Sequence, residues 1–133
     1  MSEKDIQTTI MLALGKIRNL RVFRNHVGKG VTGRIIRGKS PGEWHVTNGR
    51  MTTFGLGPDT PDLVGWETIT VTPAMVGQKI ATIFFVEVKD LKGALSPGQR
   101  TFIEFARGMG CKVVVARSAE EAVAQIVTAE LGL

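Results

Sequence analysis

Four large apolar residues in succession, Ile83-Phe84-Phe85-Val86, run without a break into Glu87-Val88-Lys89. An apolar run of this kind reads as a central, buried strand. Successive strand residues point to opposite faces, so Glu87 and Lys89 share one face. A carboxylate and an ammonium at the buried end of such a strand are costly unless paired or metal-bound. The plainer alternative is a surface ion pair between two strand-end charges.

A second apolar run, Leu63-Val64-Gly65-Trp66, is opened by Pro61-Asp62. Antiparallel pairing of the two runs through a turn near Pro73-Ala74-Met75-Val76-Gly77 sets Asp62 opposite Glu87, with Cβ atoms about 4.5–5.5 Å apart. Two carboxylates at that spacing, with a lysine beside them, can hold one hard divalent cation, an arrangement suited to phosphodiester cleavage. Asp62 has a blander reading as a turn residue after proline. Asp59 precedes the strand and is a weaker candidate for the same role.

At 133 residues and 43% hydrophobic content, the chain fits one compact domain spanning 1–133. No apolar stretch approaches the roughly 18–20 residues that span a membrane. The opening Met1-Ser2-Glu3-Lys4-Asp5 lacks the features of a secretory signal. Cys111 is the single cysteine, beside Val113-Val114-Val115, and reads as a small buried core thiol in a reducing, cytosolic compartment.

The net charge of +5 is concentrated. Arg24, Lys29, Arg34, Arg37, Lys39 and Arg50 face one acid, Glu43, while the rest of the chain carries eleven residues of each sign. The excess falls on a Gly-rich segment, as a basic loop facing a polyanion would require. A solvated loop without a partner is the alternative.

Ser2 and Asp5 form a capping signal that opens a helix reaching Leu14 or Ile17, with Ile6, Ile10, Met11, Leu14 and Ile17 as its apolar stripe. Glu3 falls on the inward-turning face, although a first-turn acid also suits the helix dipole. A strand over 20–25 follows. Residues 28–58 hold eight glycines and read as a loop with at most a short hairpin around Trp44–Met51. Strands over about 62–71 and 80–89 come next. Ser96-Pro97-Gly98-Gln99 starts a helix that sets Phe102, Ile103, Phe105, Ala106 and Met109 toward the core and ends at Gly110. A strand over 112–116 and a helix over about 119–131, capped by Ser118, complete the order α-β-β-β-α-β-α.

Two nucleotide-binding patterns match by letter only. Gly28-x-Gly30-x-x-Gly33 is not continued by a helix, and Gly33 to Lys39-Ser40 runs straight into Pro41-Gly42. A phosphate loop must pass from a strand into a helix N-terminus. His26 and His45, the only histidines, have no third ligand spaced for zinc, so each reads as a loop or DNA-facing residue.

Across nearly its whole length the chain resembles the PD-(D/E)XK nuclease superfamily and, more closely, its virus-type replication-repair nuclease (VRR-NUC) family. The resemblance rests on the N-terminal helix with Glu3, Phe23-Arg24-Asn25-His26-Val27-Gly28, Gly55-Leu56-Gly57 ahead of Pro61-Asp62-Leu63-Val64, Phe85-Val86-Glu87-Val88-Lys89, and Lys92-Gly93-Ala94-Leu95-Ser96-Pro97-Gly98-Gln99. A longer Glu67–Lys79 hairpin between the acidic residues departs from the family pattern.

The resemblance implies an α/β restriction-endonuclease-like fold, a mixed sheet flanked by helices. It also implies a Mg²⁺- or Mn²⁺-dependent DNA endonuclease in the cytoplasm of a bacterial or phage-infected cell. Asp62, Glu87 and the Val88 carbonyl would hold the metal, Lys89 would orient water, Glu3 would serve a second metal or its water, and Gln99 would position Lys89 or the nucleophile. Attack in line would leave a 5′-phosphate. Arg24, Lys29, Arg34, Arg37, Lys39 and Arg50 would grip the DNA backbone through phosphate contacts that carry little sequence information. By analogy, a homodimer acting on branched DNA such as a four-way junction is expected. The other classes left open are a non-catalytic DNA-binding accessory module and a general or flap-directed nuclease.

Overall fold

The computed structural model describes residues 1–131. Its elements are α1 (Glu3–Gly15), β1 (Leu20–Arg24), β2 (Gly28–Arg37), β3 (Trp44–Phe54), β4 (Leu63–Glu67), β5 (Ile83–Val88), α2 (Pro97–Gly108), β6 (Lys112–Ala116) and α3 (Ala119–Leu131), with one 3₁₀ turn at Pro73–Met75. They form two compact units, residues 26–58 and the remainder.

The larger unit carries a four-stranded mixed sheet in the order β1-β4-β5-β6. β4 lies antiparallel to both β1 and β5, whereas β5 and β6 are parallel. Alternation along β5 divides the core. Phe84, Val86 and Val88 point to one face, where Ile6, Ile10 and Leu14 of α1 and Ala122 and Ile126 of α3 cover them. Phe85 points to the other, against Ile103 and Ala106 of α2 and Val113 of β6. This is the expected α/β architecture.

Each helix start follows from its cap. The Ser2 hydroxyl accepts from the Asp5 amide at 3.1 Å. Hydrogen bonds back from Ser2 hold the Asp5 carboxyl below its ordinary value. The Ser96 hydroxyl accepts from the Gln99 amide at 3.1 Å, and the Ser118 hydroxyl from the Glu121 amide at 3.1 Å. Gly65 is required by close approach. A β-carbon there would run into the Arg21 carbonyl and the Phe84 ring.

Several expectations are corrected. Residues 28–58 are not mainly loop: two strands of ten and eleven residues pair from Gly28↔Phe54 to Arg37↔Trp44. Glycine enrichment hid them. Both nucleotide-like patterns lie in β2 and the turn after it, with no helix following. The paired strands around Asp62 and Glu87 are shorter than 62–71 and 80–89, because the chain leaves the sheet after Glu67 and rejoins it at Ile83. Phe105 and Met109 are exposed, at 68% and 65%. Only one stripe of α2 meets the sheet, and these two residues lie off it. Cys111 is half-buried at the edge of the α2-side core rather than sealed within it.

A buried ion pair joins Lys112 to Glu67, and the second Glu67 carboxylate oxygen has no hydrogen-bond partner. No helix among the described residues is long and apolar enough to cross a membrane.

Candidate active site

The β4–β5 register pairs Leu63 with Val86, so its next step sets Asp62 beside Glu87. An Asp62 carboxylate oxygen accepts from the Val88 amide at 2.8 Å. The Asp62 backbone is braced from β1: the Asn25 amide donates to its carbonyl at 2.8 Å. The Asn25 side-chain amide donates to the Pro61 carbonyl at 2.8 Å and the Thr60 hydroxyl at 2.9 Å. Asparagine at a strand end offers such backbone-directed bonds. That signal, an asparagine closing a strand, could have singled out Asn25.

Glu87 is 3% exposed, on the sheet face covered by α2. Its Oε1 accepts from Gln99 Nε2 at 3.0 Å and lies 3.7 Å from Lys89 Nζ. Gln99 thus engages Glu87, not Lys89, while its own Oε1 accepts from the Ser96 amide at 2.9 Å. One residue caps α2 and tethers the buried acid. Burial pushes the Glu87 carboxyl up to about 8, and the adjacent Asp62 charge adds to the rise while Lys89 opposes it.

Glu3 reaches this cluster from the start of α1. A β-carbon on Gly93 would sit 3.4 Å from Glu3 Oε1 and 3.2 Å from Lys89 Cδ, so Gly93 leaves room for both side chains. Asp59, with φ of 64°, turns its carboxylate against Gly98 in the first turn of α2 and not toward Glu87. Arg24 ends β1, and Lys29, Arg34, Arg37, Lys39 and Arg50 belong to the 26–58 unit. His45 pairs with Glu43 at 2.8 Å, and His26 is exposed.

Among the described residues, no group of three or more His, Cys, Asp or Glu is placed to hold a metal. The donor set here is a carboxylate pair. Two crowded carboxylates, one driven toward its neutral form by burial and further by the other's charge, suit a hard cation that takes one or two carboxylates and keeps several waters. The residues fit such an ion.

Neither the curated proteins nor the solved structures yield a match. A family model, the VRR-NUC domain, matches residues 50–120, more than half of the chain and the part that holds Asp62, Glu87, Lys89 and Gln99. With that match over this fold, the chain belongs to the VRR-NUC family and is a nuclease-type domain.

Proposed function

We propose that the chain is a divalent-cation-dependent DNA endonuclease whose centre is Asp62, Glu87 and Lys89. The observation that carries this is buried Glu87, held at once by Gln99 and Lys89 beside an Asp62 that the Val88 amide fixes. Asp62, Glu87 and the Val88 carbonyl would hold Mg²⁺ or Mn²⁺. The cation supplies positive charge at the scissile phosphate and acidifies water.

The chain's own groups do the rest. Lys89 directs its ammonium at the attacking water and at charge developing on the phosphate. Gln99 keeps the Glu87 carboxylate in one orientation, and Glu3 offers a further acceptor for water. The basic segment from Arg24 to Arg50 grips the DNA, chiefly through its phosphate backbone. Glu87→Ala and Lys89→Ala are expected to fold and to lose nicking of labelled DNA in Mg²⁺ or Mn²⁺ by roughly 10²–10³-fold. Variants that cut as fast as the parent would remove the assignment.

The substrate is branched DNA, particularly four-way junctions, cut by a homodimer. One small domain offers one centre, and a two-fold pair presents two at a fixed separation. The turn at Pro73-Ala74-Met75-Val76 is a candidate for the contact: Met75 is turned inward at 8% exposure, while Val76 is 83% exposed. Light scattering should give a dimer, and junctions should be cut faster than linear duplex. A monomer, or equal rates on both, would reduce the reading to a general nuclease.

A further inference from the structure

The β2–β3 ribbon has two unlike faces. Directly paired residues of an antiparallel ribbon share a face, and alternate residues along a strand return to it. On one face lie Thr32, Arg34, Arg50 and Thr52, flanked by exposed Ile36 beside His45 at one end and Phe54 at the other. The Thr32 and Thr52 hydroxyls are bonded at 3.0 Å. The other face is mostly apolar, with Lys29 and Arg37 at its two ends, and partly covers itself. Val46 Cγ1 is 2.9 Å from where a Gly33 β-carbon would stand, Val31 Cγ1 is 2.7 Å from that of Gly49, and Arg37 lies 5.5 Å over the Trp44 ring.

Among the described residues of this 26–58 unit, none is buried. An isolated two-stranded ribbon is marginal in water, so a surface of this kind suits a partner. Charge selects which one. Five basic residues stand against the single acid Glu43, which opposes packing of two copies and favours a polyanion. Shape narrows it further. Two strands about 4.8 Å apart, with side chains on each face, fit a B-DNA major groove about 12 Å wide. The register shift between Thr32 and Arg34, opposite Asn48 at φ 54°, is a bulge, and bulges increase right-handed twist.

We infer that the ribbon enters the major groove of duplex DNA on its Arg34/Arg50 face. The two guanidinium forks contact guanine N7 and O6, and the threonine hydroxyls contact neighbouring edges. Lys29, Arg37 and Lys39 meet phosphates and set the salt dependence. This deepens the endonuclease reading by naming how the duplex is held, and it separates base-facing from phosphate-facing charges within the basic segment.

The test uses the full chain carrying Glu87→Gln, without divalent cation, so cutting does not enter the readout. A mixed-sequence linear duplex and a four-way junction are treated with dimethyl sulfate, which methylates guanine N7 in the major groove and adenine N3 in the minor groove. The expected result is protection at guanine N7. Arg34→Lys with Arg50→Lys keeps the charge and the exposed positions but removes both forks. It should abolish that protection and weaken binding about 10-fold while leaving the salt slope unchanged. Protection at adenine N3 alone, no protection, or N7 protection that survives the lysine pair would overturn the inference. N7 protection by a chain whose parent never cuts would sink the endonuclease reading and leave this one standing.

Discussion

Gln99 Nε2 donates to Glu87 Oε1 at 3.0 Å while the Ser96 backbone amide, three residues back, donates to Oε1 of the same Gln99 carboxamide at 2.9 Å. The cap of α2 and the orientation of the buried acid are therefore one hydrogen-bonded device, and two substitutions can take it apart.

Ser96→Ala removes the cap hydroxyl but leaves the Gln99–Glu87 bond, so it should cost about 1 kcal/mol of stability with cleavage kept. Gln99→Ala should lower metal affinity or turnover by roughly 10–100-fold, the usual effect of losing a group that orients a ligand. Denaturant titration and metal-dependent kinetics on both variants check this. The idea fails if the two variants behave alike.

Glu87 carries a signature in pH. Its folded value near 8 lies above the ordinary 4.5, so between them the unfolded chain has released a proton that the folded chain retains. Stability from this group is complete below the unfolded value and is lost as pH rises through the folded one. Melting temperatures without metal should fall across that window more steeply in the parent than in Glu87→Gln. Mg²⁺ binding near neutral pH should also release about one proton, measurable by calorimetry in buffers of different ionisation enthalpy. Parallel melting curves for parent and variant would refute the assignment.

The Glu67–Lys112 pair makes the opposite kind of prediction. Lys112→Met strands a carboxylate that is 4% exposed and already has one unpartnered oxygen, so about 3–5 kcal/mol should be lost. Glu67→Leu together with Lys112→Met should recover most of it, because an apolar pair of similar volume often serves as well as a buried ion pair. Urea denaturation of the single and double variants gives the answer. Glu67 ends β4 at the end opposite Asp62, so cleavage by the double variant should match the parent.

The Asp62–Glu87 register was legible in the chain because alternation and an apolar run are local signals, and the three serine caps were legible because capping depends on residues three apart. The site's finer wiring was not. The resemblance implies that Gln99 positions Lys89 or the nucleophile, and no local signal in the chain shows that its side chain meets Glu87. Asn25 went without a role because its partners are 35 and 36 residues away. The ribbon was missed for a different reason. It has no core, so its strands show neither the continuous burial of β5 nor a clean apolar alternation, and its glycines look like loop.

Asn25 also fixes where the ribbon begins and ends. Its side chain is bonded to Thr60 and its backbone amide to Asp62, so the chain leaves the larger unit and returns to it at a single point. Residues 26–58 are thus a cassette spliced between two clasped neighbours of one sheet. Its length and surface can be rewritten, by evolution or by grafting, without re-threading a strand of the nuclease core. On the proposed reading, cutting chemistry and DNA choice can drift apart on separate schedules.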